Sequence, residues 1–435
     1  MQFQISKFKD IPALARLISL SAILKISGIL LGILSTLLYV KVLSLEDFGT
    51  FSFVMAAITI LTIPTAMGVP EVLIRETARS VSVGDVDRFY RLLVWARNSL
   101  TVTTGLVVIG LVVWRSFINP GLSLGLLVLI CSTLLVVALN SIRSSVLIGL
   151  NATIHGQVAD GLIKPLFLIL ILLLAFWGQE KISPEAAVFV NLVSVSAGFI
   201  YGAVVLKKRL PSRSGFDPPK SATDTWLWSS SALPLGLISG MYLVSQQLDI
   251  LVLGALSSKN EVAVYRIVSQ MGMLAILGQQ FVRLVVAPRF ASFWHTSQIG
   301  ELQAVARISS QVSLAVAIIV SATFVLAGEF LLGRVFGHEF ESGYAPLLVL
   351  CLGQVVNASF GSTGNLLNMC GHERKSVFGL IVGVTANMVC AFLLVPKFGA
   401  LGAAISTAVG LCVWNFLLWK AVREHIGVRP TAFGI

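Results

Sequence analysis

Ionisable side chains within long apolar stretches are the residues of this sequence that could do chemistry. Lys25, Asp249 and Arg266 each lie in such a stretch, among aliphatic neighbours. A charged group at the centre of a membrane span costs about 2.5–3.5 kcal/mol on insertion scales, so such groups usually face a wet cavity or pair with one another. A cation in a cavity attracts anions, whereas a buried carboxylate can form an ion pair or bind a proton or cation.

The two cations each allow two interpretations. Lys25 lies in the first third of the first apolar stretch, where its side chain could extend to the lipid headgroups or face a cavity. Arg266 lies near the outer end of the eighth stretch, where it could contact headgroups or a helix end, or line a cavity. In the cavity interpretation both residues are candidates for binding an anionic substrate.

Asp249 is the carboxylate placed deepest in an apolar stretch, within the segment Ser245–Ile250. It could pair with a basic residue such as Arg266 or Lys25 and so stabilise a helix bundle. It could instead titrate as a coupling site for an ion or a proton. We therefore predict that Asp249 is either a coupling residue or half of a structural ion pair.

Arg75 and Arg79 are one helical turn apart and should share one helix face where a span leaves the membrane. One interpretation is a solvated face neutralised by Glu76. The functional interpretation is a cytoplasmic mouth whose positive field concentrates an anionic ligand. Both arginines are therefore candidate substrate-binding residues.

The sequence lacks the motifs of common catalytic and nucleotide sites. It has no Gly-rich nucleotide loop, no zinc-binding helix and no Gly-x-Ser-x-Gly turn, and its five histidines are scattered singly. We expect no catalytic residue, no metal site and no cofactor. An ATP-driven pump is disfavoured, because a nucleotide-binding site needs a soluble domain. The segments that connect the apolar stretches of this chain are too short to form one.

Long apolar segments must position these residues. The chain is 56% hydrophobic and 12% charged, with a mean hydropathy of +0.90, which does not fit a soluble domain. A helix of about 20 apolar residues crosses a hydrocarbon core of roughly 30 Å. Twelve stretches meet this length approximately: 17–40, 51–68, 94–113, 122–138, 162–176, 186–206, 227–253, 262–286, 312–327, 345–367, 377–395 and 401–419.

The basic residues assign these spans an orientation. Of the 31 Lys and Arg residues, 23 fall in seven segments that alternate with six nearly uncharged ones. Cytoplasmic connections carry the excess of Lys and Arg, so both termini should be cytoplasmic. The net charge of +11 then reflects topology rather than nucleic-acid binding, and no nucleic-acid partner is expected.

The segment 207–225 is basic, contains three prolines and is predicted to be a cytoplasmic linker. It divides the chain into an N-terminal six-helix lobe, 1–206, and a C-terminal six-helix lobe, 226–435. A weak internal repeat relates the residues after spans 1 and 7. Such repeats are typical of transporters that rock two bundles about a central site.

Four segments resemble the polysaccharide-transporter branch of the multidrug/oligosaccharidyl-lipid/polysaccharide exporter superfamily, to which O-antigen flippases belong. The resemblance covers nearly the full chain, and its most specific parts are an Arg-Glu-x-x-Arg run and a Pro-x-x-Gly-x-x-Gly-Ala-Ala-x-x-Thr run. The segments are Leu45–Gly49, Gly68–Arg79, Gln247–Gly254 and Val395–Thr407.

The resemblance implies an all-α membrane protein with two six-helix lobes around a central cavity, which works by alternating access. It implies that basic residues of spans 1, 2 and 8 bind the diphosphate of the cargo, and by position these are Lys25, Arg75 and Arg266. Lys25 stands where relatives often have Arg, so bidentate phosphate binding is not expected there. Twelve spans rather than fourteen separate the chain from the peptidoglycan-precursor subgroup.

We therefore predict a flippase for polyprenyl-diphosphate-linked oligosaccharide in polysaccharide or O-antigen biosynthesis. A cation-coupled exporter of drugs or metabolites is an alternative, although it should carry more intramembrane carboxylates than Asp249. A membrane polysaccharide polymerase or ligase is a second alternative. That enzyme needs a large outer loop with Arg and His, whereas the largest outer connection offers only Arg334 and His338.

The predicted partners are the lipid-linked oligosaccharide and membrane lipids, with a polysaccharide polymerase and chain-length machinery as further partners. The predicted location is the bacterial cytoplasmic membrane, with multiple passes. This prediction depends on the apolar stretches and the basic connections described above.

Overall fold

A computed structural model describes residues 11–117, 121, 123–178, 181–210 and 222–434. The elements in these ranges are helices, and the described residues contain no β-strand, in agreement with the predicted all-α class. The middle of the predicted linker, 211–221, and the first ten residues lie outside the described part of the chain.

Fifteen α-helices account for the described residues, joined by short loops and by four short π or 3₁₀ turns. The helices are α1 (Ile11–Val42), α2 (Leu45–Ala66), α3 (Val69–Val83), α4 (Val86–Phe117), α5 (Leu124–Gly149), α6 (Thr153–Val158), α7 (Lys164–Trp177), α8 (Pro184–Arg209), α9 (Ala222–Leu256), α10 (Lys259–Gly272), α11 (Leu277–His295), α12 (Ile299–Leu331), α13 (Tyr344–Phe360), α14 (Thr363–Met369) and α15 (Glu373–His425). The turns are π-helical at Ala159–Ile163 and Leu332–Phe336, and 3₁₀-helical at Met273–Ile276 and His338–Gly343.

Eleven helical segments of the described chain are long and apolar enough to cross a membrane. The last of them, Glu373–His425, contains Gly399, whose φ of 52° and ψ of −128° are not helical. α15 therefore consists of two helices joined at a bend, and the eleven segments correspond to the twelve predicted spans. Their outer faces are apolar: Leu106, Leu326 and Leu393 are 64%, 87% and 65% exposed, as expected where lipid is the solvent.

The described chain forms two compact units. Unit 1 comprises the described residues of Met1–Val42 and Leu61–Gly240, and unit 2 comprises those of Leu43–Ile60 and Met241–Ile435. The lobes predicted from sequence, 1–206 and 226–435, remain a prediction. The units differ from them because the first part of α2 groups with unit 2 and the first part of α9 groups with unit 1.

The first part of α9 is fixed to unit 1 by a buried tryptophan pair. Trp228 is 1% exposed, and its ring centroid lies 5.7 Å from that of Trp95 on α4. Trp95 Nε1 donates to Ser229 Oγ at 3.1 Å. Gly68, with φ of 76°, leads into α3, and a Cβ there would lie 1.9 Å from the Ala232 carbonyl oxygen. Only glycine permits both this backbone conformation and the close approach of α9.

Unit 2 packs α11 against α12, α12 against α13, and α13 against α15. The predicted eighth span, 262–286, is not one helix, because the 3₁₀ turn Met273–Ile276 separates α10 from α11. The segment after α15 returns to the unit, where Val428 is fully buried and the Arg429 backbone N–H donates to Gln303 Oε1 at 2.6 Å. This segment therefore contributes to the core of unit 2.

Candidate substrate-binding site

α3 presents two of the predicted cations at the surface of unit 1. The helix begins after Gly68 with a proline in its first turn, and it ends at Gly84, whose φ of 76° stops it. Within it, Arg75 and Arg79 are one turn apart and both are exposed. The predicted shared face is thus formed by a short helix between two left-handed glycines.

Glu76 pairs with the exposed arginine face of α3 from a buried position. Its side chain is 5% exposed. Arg75 Nε donates to Glu76 Oε1 at 3.0 Å, and Arg88 Nη2 donates to Glu76 Oε2 at 2.9 Å. One carboxylate facing two guanidinium groups leaves a net positive charge. Arg79 adds to it, since its guanidinium makes no hydrogen bond or ion pair within the described ranges.

Lys25 lies on a different part of unit 1 from these arginines. Its side chain is exposed on α1, one turn before Gly28, where α1 approaches the π turn of Ala159–Ile163. α1 packs against α6, the π turn and α7, whereas α3 packs against α4 and α5. The contacts of unit 1 therefore bring Arg75 and Arg79 together but do not join Lys25 to them.

Arg266 belongs to unit 2, on α10. The helix begins at Ser258, whose side-chain oxygen accepts from the Glu261 backbone N–H at 3.3 Å. Arg266 is half-buried, and the preceding residue, Tyr265, and the following residue, Ile267, are buried. Among the described residues its guanidinium has neither a hydrogen-bond acceptor nor an ion-pair partner. Arg266 is therefore a cation at membrane depth whose donors remain available to a ligand.

Asp249 is 7% exposed and is held by three neutral donors within unit 2. Thr407 Oγ1 donates to Oδ2 at 2.7 Å, Tyr265 Oη donates to Oδ2 at 3.0 Å, and Asn387 Nδ2 donates to Oδ1 at 3.1 Å. These donors come from α10 and from both halves of α15. The carboxylate is thus fully engaged by hydrogen bonds in an apolar interior.

Within unit 2 the predicted ion pair of Asp249 with Arg266 is not formed among the described residues, and a pair with Lys25 stays a prediction. Successive residues of an α-helix point about 100° apart, so Tyr265 faces the carboxylate and Arg266 does not. The sequence analysis also missed Asn387 and Thr407 as partners. Thr407 ends the Pro-x-x-Gly-x-x-Gly-Ala-Ala-x-x-Thr run, and that motif was the available signal.

The described residues contain no group of three or more His, Cys, Asp or Glu side chains able to hold a metal ion. A second polar cluster lies in unit 1 around Arg143. That side chain is 2% exposed and faces Asp160, with Lys164 one turn further along. Neither its burial nor its partner could be read from hydropathy.

Comparisons with known proteins identify the class of protein. The sequence pattern of the family described as "Polysaccharide biosynthesis protein" matches residues 14–294. The membrane protein MJ1068 of Methanocaldococcus jannaschii is 24% identical over 420 residues, covering 89% of this chain and 80% of its own length. The probable low-salt glycan biosynthesis flippase Agl15 of Haloferax volcanii is 20% identical over 184 residues, covering 42% of this chain and 39% of its own.

Two solved structures share the fold. The lipid II flippase MurJ in an inward closed conformation has a TM-score of 0.73 at 12% identity, covering 93% of this chain and 87% of that one. An inward-facing multidrug resistance MATE transporter of the MOP superfamily has a TM-score of 0.72 at 15% identity, covering 93% and 98%. At these identities the likeness concerns the fold alone.

The helical segments and these matches define a multi-pass membrane protein with the fold of the MurJ and MATE structures. The chain belongs to the polysaccharide biosynthesis protein family. The Haloferax volcanii relative and the two solved structures are named as flippases or a transporter rather than as enzymes, which does not favour the polymerase or ligase alternative.

Proposed function

We propose that this protein is a flippase that moves a polyprenyl-diphosphate-linked oligosaccharide from the cytoplasmic to the outer leaflet by alternating access. The family match and the glycan flippase of Haloferax volcanii support a glycan-related cargo. The fold shared with a lipid II flippase supports a lipid-linked one.

The observation that carries the proposal is the guanidinium of Arg266, which has no partner among the described residues. A cation at membrane depth normally pairs with a protein group or serves a ligand, because an unpaired charge in hydrocarbon is costly. The planar guanidinium matches a phosphate with two parallel hydrogen bonds. A diphosphate headgroup would therefore satisfy donors that the protein itself leaves free.

The positive face of α3 supports the same cargo. Arg75 and Arg88 share a single buried carboxylate, and Arg79 lies beside them without an acidic partner among the described residues. Such a face raises the local concentration of an anionic headgroup. We propose that Arg75 and Arg79 form a cytoplasmic entry surface and that Lys25 is a further contact for the headgroup.

A cation-coupled exporter of drugs or metabolites is the second candidate, favoured by the fold shared with the MATE transporter. Cationic drugs need acidic binding residues, whereas Arg75, Arg79, Lys25 and Arg266 are basic. The candidate residues therefore favour an anionic cargo. A role for Asp249 in ion coupling is compatible with either candidate.

The remaining predictions concern context. We propose that both termini are cytoplasmic, from the distribution of basic residues, and that the cargo contacts membrane lipids during transport. O-antigen as the final product, a polymerase and chain-length machinery as partners, and a bacterial host remain predictions.

The test uses purified protein in lipid vesicles containing a fluorescent, short-chain polyprenyl-diphosphate oligosaccharide. Transport exposes the lumenal pool of the lipid to an impermeant quencher added outside. Arg266→Gln should slow this exposure about tenfold or more, because a charged hydrogen bond in a desolvated site contributes about 1.5–3 kcal/mol.

Arg334→Gln is the matched control, since Arg334 is an exposed arginine of the same unit outside the proposed binding residues. It should transport at the rate of the unaltered protein. Vesicles with unaltered protein that expose the lipid no faster than protein-free vesicles would exclude the proposed function.

A further inference from the structure

Unit 1 contains a buried arginine with unused hydrogen-bond donors. Arg143 on α5 is 2% exposed, and its Nη1 donates to the Gly198 carbonyl oxygen at 2.6 Å. Its Nε and Nη2 have no hydrogen-bond partner within the described residues. Buried donors of this kind are rare unless a ligand, water or ion satisfies them.

The packing of α5 against α8 fixes the position of this arginine. A Cβ at Gly202 would lie 1.7 Å from Arg143 Nη1, so the absent side chain leaves the space that the guanidinium fills. Gly198 supplies the accepting carbonyl one turn earlier on α8. The guanidinium is therefore held in a preformed recess rather than on a mobile side chain.

Asp160 covers the open side of this recess. Its Oδ2 lies 3.7 Å from Arg143 Nη2, longer than a direct hydrogen bond, and its side chain is 44% exposed. Asn140 Nδ2 donates to the other oxygen, Oδ1, at 2.7 Å. Lys164 is half-buried one turn after Asp160. Two cations facing one carboxylate leave an excess positive charge around an accessible acidic group.

The backbone at Asp160 is the type that can change register. Asp160 is the second residue of the π turn Ala159–Ile163, and π turns recur at functional sites. Moving the extra residue of a π turn by one position rotates the residues it passes by about 100°. The neighbouring α1 contacts this turn through glycines, since a Cβ at Gly28 would lie 3.3 Å from the Gly161 carbonyl oxygen. The small glycines therefore leave little side-chain bulk between α1 and the turn that carries Asp160.

We propose that Arg143 and Lys164 form a second anion-binding site within unit 1, which the Asp160 carboxylate occupies when no oxyanion is bound. The ligand class is a phosphate or carboxylate group, which displaces the Asp160 carboxylate and bonds to the free donors of Arg143 and to Lys164. The assignment of this oxyanion to the cargo, as its diphosphate or as an acidic sugar, rests on the proposed function.

The experiment measures binding of inorganic pyrophosphate and of glucuronate to the purified full chain in lipid nanodiscs by titration calorimetry. Lys164→Gln should weaken binding of the preferred anion about tenfold, the effect of losing one charged hydrogen bond. Asp160→Asn should strengthen it about tenfold, because it removes the competing charge and keeps the side-chain size. Pyrophosphate preference would identify the diphosphate, and glucuronate preference an acidic sugar.

Lys41→Gln and Glu301→Gln are the matched controls, since each removes one exposed charge of the same sign elsewhere in the chain. The proposal is overturned if the unaltered chain binds neither anion, or if the variants at Lys164 and Asp160 bind like their controls. If the variants change anion binding but the protein does not transport the lipid, the proposed function is excluded and the second anion-binding site is supported. If the protein transports the lipid but both variants bind anions like their controls, the second site is excluded and the proposed function is supported.

Discussion

At the scale of single residues, the buried carboxylates of the two units are satisfied by different chemistry. Glu76 is neutralised by Arg75 and Arg88, at 3.0 and 2.9 Å. Asp249 receives hydrogen bonds from three uncharged side chains, so its charge has no protein counter-ion in the described residues. Glu76 therefore stabilises α3, whereas the binding of a proton or a cation at Asp249 stays a prediction.

Ion coupling through Asp249 predicts that Asp249→Asn loses the stimulation of lipid transport by a membrane ion gradient. The amide has the size of the carboxylate, but it carries no negative charge and does not titrate as a carboxyl group does. The measurement compares lipid exposure in vesicles with and without an imposed sodium or proton gradient.

Tyr265→Phe is the control for Asp249→Asn. It removes one hydrogen bond to Oδ2 but leaves the carboxylate with Thr407 and Asn387. Gradient stimulation should persist in this variant. Stimulation that survives in Asp249→Asn would exclude coupling through this carboxylate and leave it a structural role.

At the scale of elements, hydropathy marks one of two helix breaks. The bend of α15 at Gly399 lies between the predicted spans 377–395 and 401–419, whereas the break of the eighth span at Met273–Ile276 was not predicted. Backbone groups freed at a helix break need new partners. At the α15 bend the Ala400 backbone N–H donates to Glu261 Oε2 at 2.6 Å, so a side chain of α10 completes the helix break.

This bend predicts a stability effect for Gly399→Ala. The φ of 52° disfavours any residue with a Cβ, and a Cβ at this position would lie 2.5 Å from Glu261 Oε2. We expect a loss of about 1–3 kcal/mol in unfolding free energy, from the strained backbone and the contact with Glu261. The thermal unfolding midpoint of purified protein in detergent measures it.

Gly110→Ala on α4 is the comparison, because a Cβ there meets no atom within 4 Å. An alanine in an exposed helix interior should be neutral or stabilising by up to about 1 kcal/mol. Equal unfolding midpoints for the two variants would contradict the assignment of Gly399 as an obligatory glycine.

At the scale of the whole molecule, twelve crossings and the distribution of basic residues predict the sidedness of each connection. In a chain whose native cysteines have been replaced, Lys208→Cys should react with an impermeant thiol reagent only after the cells are permeabilised. Lys397→Cys should react in intact cells. Both lysines are exposed, so accessibility to the reagent reports the side of the membrane rather than burial. Reversed labelling would invert the proposed orientation.

The hydropathy pattern also predicted the helical spans, but it could not predict how the parts of these helices divide between the two units. Asp224 lies at the end of the predicted linker and Trp228 follows it, yet they contact Arg91 and Trp95 of unit 1. An aromatic pair and an ion pair formed across more than a hundred residues leave no local signal. The boundary between compact groups of helices therefore had to come from the tertiary contacts.

The sequence by itself determined that this protein is a helical membrane protein with about twelve apolar spans, since span length and hydropathy are local properties. It also identified Lys25, Arg75, Arg79, Asp249 and Arg266 as unusual, because a charge in an apolar context is visible in the sequence. Only the tertiary structure decided their partners. Helix rotation and long-range packing bring Thr407 and Asn387 into hydrogen bonds with Asp249 and bury Arg143. They also leave Arg266 without a partner among the described residues, and no local sequence pattern encodes these outcomes.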